Sequence, residues 1–145
     1  MNPNTLERFI EMQEELYEIA FHEISHGKKR SHWMWFIFPQ LRALGKSQRA
    51  IYFGIRDLAE ARAYMQNPYL RDNLIAITQA LLALNTNDPV AVMGEIDGKK
   101  LCSSMTLFEI AAPDVSAFSL VLEKFYRGIR DPKTIALLSS APTDV

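Results

Sequence analysis

Three Asx-Pro dipeptides constrain the fold of this chain most strongly. In Asn67-Pro68, Asp88-Pro89 and Asp131-Pro132, a side-chain oxygen that can cap a helix stands directly before a proline. Proline suits the first helical position, because its fixed φ matches the helix and its missing N–H is not needed there. We therefore predict that a helix starts at each pair. The second of these helices should be short, since Gly94 follows closely.

Capping residues in front of segments with helical apolar spacing predict four further helices. Their expected starts are Asn4 (with Glu7 in the reciprocal position), Asp57, Ser103 or Ser104, and Ser116. Strand signals are confined to Ile51–Ile55, and a lone strand has no partner. The sequence thus predicts an all-α fold, a compact single-domain bundle of about seven helices over residues 1–138. Residues 139–145 read as a disordered tail.

Composition excludes several classes of protein. A net charge of -1 argues against a surface built to coat nucleic acid or an anionic membrane. Cys102 is the one cysteine, so we expect no disulfide, and a reducing cytoplasm fits best. One cysteine and three scattered histidines supply too few ligands for a metal site. We also expect no cofactor. The apolar runs are far shorter than about 18 residues, which predicts neither a signal peptide nor a membrane span.

Charge is distributed very unevenly along the chain. Residues 1–26 hold six glutamates and one arginine, whereas residues 27–56 hold seven basic residues and no acidic one. The basic residues are Lys28, Lys29, Arg30, Arg42, Lys46, Arg49 and Arg56. One interpretation is a local site for an anion such as phosphate. The alternative is that the acidic first helix faces this segment in exposed ion pairs, which contribute little.

Both tryptophans lie in the basic segment, within residues 31–40, and most aromatic side chains at such density belong to a core. A basic run followed by Ser, His and Trp nevertheless supplies charge, hydrogen bonding and a stacking surface for a nucleotide-like ligand. The candidate ligand-binding residues here are Lys28, Arg30, Ser31, Trp33, Trp35 and Gln40. His32 is the candidate acid–base catalyst, and the alternative is that it is a hydrogen-bonded structural histidine.

A second candidate region lies at residues 97–106, where a glycine and two lysines precede a hydroxyl-rich helix start. Free amides at such a start would bind an anion. The candidate residues are Lys100, Ser103, Ser104 and Thr106, and the alternative is that the hydroxyl groups only cap the helix. Cys102 has no base adjacent in sequence and is a poor candidate for a nucleophile. We predict that the two regions meet in space and share one phosphate site.

The segment Gly27–Gln40, with the sequence GKKRSHWMWFIFPQ, resembles a bacterial family of small proteins of unknown function, some of which have been labelled calpastatin. The resemblance continues through Asn67-Pro68 to the closing Asp131-Pro132 and covers almost the whole chain. It implies a compact, mostly helical domain, similar to a mycobacterial hypothetical protein, and no established activity. Domains of this kind also show a remote similarity to families that handle NAD-derived and ADP-ribosylated molecules.

Two hypotheses follow. In the first, the domain binds a phosphate-bearing nucleotide or an ADP-ribose-like molecule, either as a binding protein or as an enzyme. In the second, it is a non-catalytic module that binds a protein or a nucleic acid through its polarised surface. The two differ in whether the tryptophans and Lys100 line one concave pocket.

Overall fold

The structure, a computed structural model, describes residues 4–139, and most of that length is helical. The α-helices are α1 (Glu7–Ser25), α2 (Met34–Ile37), α3 (Gln48–Tyr52), α4 (Leu58–Gln66), α5 (Pro68–Leu82), α6 (Pro89–Met93), α7 (Glu95–Ala111), α8 (Ser116–Tyr126) and α9 (Pro132–Ser139). A 3-10 helix, Arg42–Leu44, lies between α2 and α3. The predicted all-α, compact single-domain fold is confirmed. Most of the predicted tail lies outside the described residues.

The Asx-Pro pairs start α5, α6 and α9, as the sequence predicts. Side-chain oxygens of Asn67, Asp88 and Asp131 accept hydrogen bonds from first-turn amides at 2.9 to 3.1 Å. Asp57 caps α4 in the same way, at 2.8 Å. Local capping chemistry is therefore enough to position four of the helix starts in this part of the chain.

Two other predicted helix starts are wrong, and Ser116 starts α8 without capping it, because Val115 occupies the cap position. The first helix begins at Glu7, with Leu6 and not Asn4 at the cap position. The helix expected to start at Ser103 or Ser104 already begins at Glu95, directly after Gly94. Gly94 has a φ of +87°, which a glycine adopts without strain, and this lets the chain turn from α6 straight into α7. Ser103 and Ser104 are consequently in the middle of α7.

The segment Ile51–Ile55, which shows the only strand signals in the sequence, is divided between two kinds of structure. Ile51 and Tyr52 belong to α3, and Ile55 forms an isolated parallel bridge with Leu41. The two short helices α2 and α3 were not predicted, because each is too short to show a clear helical period. These two helices raise the number from the seven predicted to the nine α-helices observed in residues 4–139.

The core is enclosed by the longer helices. Helix α1 packs on α5, α5 on α8, α8 on α7 and α7 on α4. The aromatic segment contributes Trp33, Phe36 and Phe38 to this core, as its composition predicts. No helix among the described residues is long and apolar enough to cross a membrane.

Removing one cap tests the observed helix boundaries. Asn67→Ala is expected to lower the free energy of unfolding by about 0.5–2 kcal/mol, because the Leu70 amide loses its acceptor. Denaturant unfolding measures the change. Asn85→Ala is the control, since Asn85 is exposed in the loop after α5 and caps no helix. Equal stability of the two variants would contradict the assignment of Asn67 as a cap.

Candidate functional site

The loop between α1 and α2 is held in place by the carboxylate of Glu23, which is 8% exposed. Its Oε1 atom accepts hydrogen bonds from the Arg30 N–H (2.7 Å), the Ser31 N–H (2.9 Å) and the Trp33 indole N–H (2.9 Å). Its Oε2 atom accepts one from the Ser31 hydroxyl (2.5 Å). Four donors from one short stretch of chain therefore fasten the loop to α1.

The acidity of Glu23 follows from these contacts. Burial by itself raises the pKa of this carboxyl group, but the hydrogen bonds from Ser31, Arg30 and Trp33 outweigh burial and lower the pKa from 4.5 to about 2. The group is therefore an ionised acceptor at neutral pH. Its function in the site is to hold the loop in position and not to transfer protons.

Trp35 is half-buried and lines a cleft of about 420 Å³ beside the start of α7, which we name the Trp35 cleft. The cleft is lined by Lys29, His32, Met34, Trp35, Met93, Gly94, Glu95, Ile96 and Asp97. Two cationic groups lie over the Trp35 ring. The guanidinium carbon of Arg49 is 5.2 Å from the ring centroid, and Lys100 Nζ is 5.8 Å from it. Both distances are within the range of cation–π attraction.

The basic aromatic segment meets α7 around Asp97. Lys29 Nζ lies 3.0 Å from Asp97 Oδ2, and the Lys29 N–H donates to the Val92 carbonyl at 2.8 Å. Lys100 Nζ is 3.8 Å from Asp97 Oδ1 and also lies over Trp35. The meeting of the two predicted regions is therefore observed, and it occurs at Trp35, Asp97 and Lys100.

The three hydroxyl residues predicted for this site are buried inside α7. Ser103 Oγ donates to Asp131 Oδ2 at 3.2 Å, and Thr106 Oγ1 accepts from the Asp131 N–H at 3.0 Å. Ser104 is fully buried, like Thr106. Ser103 and Thr106 fasten α9 to α7, and Ser104 and Thr106 have no surface that a ligand could reach. The free amides expected at Ser103 are absent because α7 begins at Glu95.

The residues predicted in the loop before α2 differ in accessibility. Lys28 and Arg30 are exposed but are not part of the cleft lining. The Ser31 hydroxyl is occupied by Glu23, and Trp33 is 1% exposed with its indole N–H on the same carboxylate. Of this group, only the exposed side chain of His32 lies on the wall of the cleft.

Gln40 lies beside the cleft. A small gap next to the Trp35 ring is lined by Gln40, Lys100 and Trp35, among others, so the predicted Gln40 and Lys100 are neighbours of the predicted Trp35. The backbone carbonyl of Gln40 accepts from the Ile55 N–H at 2.9 Å, which fixes the position of this residue. Trp35 therefore links two sets of predicted residues, since it lines the cleft with His32 and the small gap with Gln40 and Lys100.

The acidic face of α1 does not explain the basic segment. The ion pairs that the structure shows for this segment join Lys29 to Asp97 on α7 and Arg56 to Glu60 on α4. Glu23 of α1 also contacts the segment, and it accepts hydrogen bonds from backbone, hydroxyl and indole groups. The ion pairs shown for this segment among residues 4–139 therefore join it to α7 and α4.

Three residues of the site were not predicted. Arg49 was counted only as part of the basic segment, since nothing in its spacing relates it to Trp35. Asp97 was assigned to a turn, and Glu23 to the acidic exposed face of α1. Glu23 could have been found, because it lies three positions after the buried Ala20 and next to the buried Ile24 on the same helix.

Nucleophilic or metal chemistry finds no support in the described residues. Burial raises the pKa of the Cys102 thiol to about 11, and the charge of Asp131 acts in the same direction, so the thiol stays protonated at neutral pH. No group of three or more His, Cys, Asp or Glu side chains within residues 4–139 is arranged to hold a metal ion.

Comparison with known proteins identifies the family. The model of a family described as "Protein of unknown function (DUF1810)" matches residues 3–138, which is nearly the whole chain. The chain belongs to this family. It is also similar to a solved crystal structure, that of the conserved hypothetical protein Rv1873 from Mycobacterium tuberculosis. The two share 41% sequence identity and a TM-score of 0.92, over 97% of this chain and 100% of the mycobacterial one. No curated protein matches.

Proposed function

We propose that this DUF1810 member binds a small molecule that carries both a flat ring and a phosphate group, such as a nucleotide or an ADP-ribose-like molecule, at the Trp35 cleft. The observation that carries the proposal is the half-buried Trp35 ring with the Arg49 guanidinium and Lys100 Nζ within 6 Å of its centroid. A cleft of about 420 Å³ is within the usual range of small-molecule sites.

The two parts of such a ligand would use different groups. An accessible indole offers a stacking surface, and stacking of a base on an aromatic side chain contributes on the order of 1–3 kcal/mol. The phosphate would lie on the side of Arg49 and Lys100, because an arginine fork and a lysine ammonium both bind phosphate oxygens. The cleft lining itself carries Glu95 and Asp97, which would repel an anion placed beside them.

The cations near the cleft are not equally available. Lys29 Nζ is engaged by Asp97 Oδ2 at 3.0 Å and by the Ser31 carbonyl at 2.6 Å, so it acts as a tie between two segments. Lys100 is 3.8 Å from the same carboxylate, which is a weaker contact. Arg49 is exposed. Lys100 and Arg49 are therefore the candidate phosphate ligands, with Gln40 beside them to orient the ligand.

The proposed function is ligand binding, and His32 is the position at which acid–base chemistry would take place if the bound ligand is also converted. Histidine is suited to that task because one ring nitrogen can accept a proton while the other donates one. A His32→Ala variant that binds ligand normally but loses turnover would assign this role. A variant that loses both would make His32 a binding residue.

The proposal is tested by calorimetric titration with ADP-ribose, NAD, AMP, adenosine and inorganic phosphate. We expect the compounds that combine ring and phosphate to bind more tightly than adenosine or phosphate alone. Lys100→Ala should weaken the binding of the best compound about tenfold or more, since a hydrogen bond to a charged group contributes about 1.5–3 kcal/mol. Lys28→Ala removes the same charge from an exposed position outside the cleft and should leave the affinity unchanged.

Tryptophan fluorescence gives an independent measurement. Ligand that stacks on Trp35 should change the emission of the wild-type chain, and Trp35→Phe should abolish that change because Trp33 is 1% exposed and does not line the cleft. If Lys28→Ala and Lys100→Ala weaken binding equally, or if the emission change survives in Trp35→Phe, the ligand does not bind at the Trp35 cleft and the proposal is wrong.

A further inference from the structure

A second, larger depression lies on the other side of the first turns of α7. It has a volume of about 830 Å³ and is bounded by α6, α7, the end of α8 and the start of α9, and we name it the α7–α9 groove. The three most exposed large apolar side chains of residues 4–139, Ile96 (72%), Ile129 (65%) and Val90 (52%), all line this groove. Clustered exposure of this kind marks an interaction surface, whereas scattered apolar residues need no explanation.

The groove is built on well-ordered contacts. Asp131 Oδ2 accepts hydrogen bonds from the Ser103 hydroxyl (3.2 Å) and the Thr134 N–H (3.0 Å), which fixes the start of α9 against α7. The Tyr126 hydroxyl donates to the Gly98 carbonyl and so ties the end of α8 to the first turns of α7. Ile96 and Ile129 are therefore carried on backbone that is preformed, and a partner would not have to order it.

The charged residues of the groove are mainly basic. Lys99 and Lys133 are exposed, whereas Lys100 Nζ is 3.8 Å from Asp97 Oδ1 and lies over the Trp35 ring. Arg130 is paired with Glu109 at 2.5 Å, and one oxygen of Asp131 is taken up by the bonds to Ser103 and Thr134. Glu95 is the remaining acidic residue of the lining. Three lysines thus surround an apolar surface with little carboxylate to neutralise them.

We infer that the α7–α9 groove docks an acidic amphipathic segment of a partner protein. Apolar side chains of that segment would cover Ile96, Ile129 and Val90, and its carboxylates would lie against the lysines. Protruding isoleucines on an open groove suit a peptide that lies across them, as in recognition of an amphipathic helix. Charge of opposite sign would favour encounter and selectivity more than affinity.

This docking surface borders the proposed ligand site, because Glu95 and Ile96 line both depressions and Lys100 takes part in both proposals. Val90, Ile129 and Lys133 do not line the Trp35 cleft, so variants at these positions address the groove alone. Loss of peptide binding with normal ligand binding, or the reverse, would therefore separate the two proposals.

The test uses the full chain as bait for a phage-displayed library of random peptides, followed by fluorescence anisotropy with the selected peptides. We expect the enriched sequences to combine spaced apolar residues with Asp or Glu. Ile129→Asp should weaken their binding about tenfold or more, as expected for the loss of a central apolar contact. Lys133→Glu should weaken it as well, with a smaller dependence on salt than the wild type. Ile19→Asp is the matched control, because Ile19 is an exposed isoleucine on α1 outside the groove.

Three results would overturn the inference. Enriched peptides that are basic, or no enrichment at all, would show that the groove does not select acidic segments. Equal affinity of the Ile129→Asp and Ile19→Asp variants would place the binding surface elsewhere. A concentration-dependent dimer in sedimentation, converted to monomer by Ile129→Asp, would make a second copy of this chain the occupant. Circular dichroism confirms that each variant is folded before it is scored.

Discussion

Replacing Glu23 by alanine is expected to destabilise the protein strongly, by about 3 kcal/mol, because one buried and three partly buried donors lose their acceptor together. The donors are two backbone amides, the Ser31 hydroxyl and the Trp33 indole. Leaving a buried donor unpaired is more costly than the average hydrogen bond is favourable. Chemical denaturation of the variant and the wild type at pH 7 measures the difference.

The pH dependence of this contribution follows from the lowered pKa of Glu23. A carboxyl group whose pKa is lower in the folded state stabilises the fold fully above its unfolded pKa, near 4.5, and loses this effect as the pH falls towards about 2. The contribution is roughly 3 kcal/mol, since each tenfold change in proton affinity corresponds to about 1.4 kcal/mol. The stability difference between wild type and Glu23→Ala should therefore shrink as the pH is lowered from 5 to about 2.

Two controls separate this contribution from a general effect of charge. Glu18→Ala removes an exposed carboxylate from the same helix and should change the stability only slightly. Glu23→Gln keeps the shape of the side chain and one acceptor oxygen. Its loss of stability should therefore lie between those of Glu18→Ala and Glu23→Ala, and the contribution of residue 23 should not depend on pH in this range. If the Glu23→Ala variant is as stable as the Glu18→Ala variant, the assignment of Glu23 as the anchor of the loop is wrong.

The Glu23 loop also links stability to the site. The loop carries His32 and leads into α2, whose first turn contains Trp35 with its accessible ring. A variant that loosens this loop while the chain remains folded should bind ligand more weakly, although residue 23 is not part of the cleft lining. Positioning of this kind depends on a buried anion that holds its neighbours in fixed geometry.

Helix starts were predictable where the chemistry is local. The side chains of Asn67, Asp88 and Asp131 bind amides two or three residues ahead, and the following proline excludes most alternatives. The start of α7 was not predictable in this way, since it depends on the positive φ of Gly94 and on no side-chain cap. A hydroxyl-rich stretch such as Ser103-Ser104 then imitates a helix start in sequence while lying inside a helix.

In the candidate site, too, local sequence predicted some features, whereas others depend on how the elements pack. The concentration of cationic and aromatic residues before Gln40 predicted Trp35 as a ligand-binding residue, and the structure shows that its ring is half-buried and that Lys100 is its neighbour. Burial could not be predicted residue by residue, so Trp33 and Trp35 appeared equivalent although one binds Glu23 in the core. Arg49 reaches Trp35 only because α3 folds back beside α2, a contact between elements that spacing along the chain does not encode.

The second large effect is expected at a buried ion pair on the other side of the core. Arg8 and Glu60 make two hydrogen bonds, at 2.8 and 3.2 Å, with side chains that are 0% and 3% exposed. The Arg8 guanidinium also donates to the carbonyls of Tyr52 (2.8 Å) and Gly54 (2.9 Å). It therefore connects α1 to α4 and to the end of α3, three elements that are distant in sequence.

Removing both partners of this pair should cost clearly less than the sum of the two single removals. Glu60→Leu alone leaves the buried Arg8 guanidinium without its counter-ion, and Arg8→Met alone leaves Glu60 with only the more exposed Arg56 at 3.5 Å. We expect each to lower the free energy of unfolding by about 3–5 kcal/mol. In the double variant neither buried charge of the pair remains, so its loss of stability should be clearly smaller than the sum of the two single losses. A smaller loss should persist, because the carbonyls of Tyr52 and Gly54 no longer receive hydrogen bonds from Arg8. Urea unfolding of the four proteins gives the coupling energy directly. Additive losses would mean that the charges are solvated in solution and that the pair does not hold the three elements together.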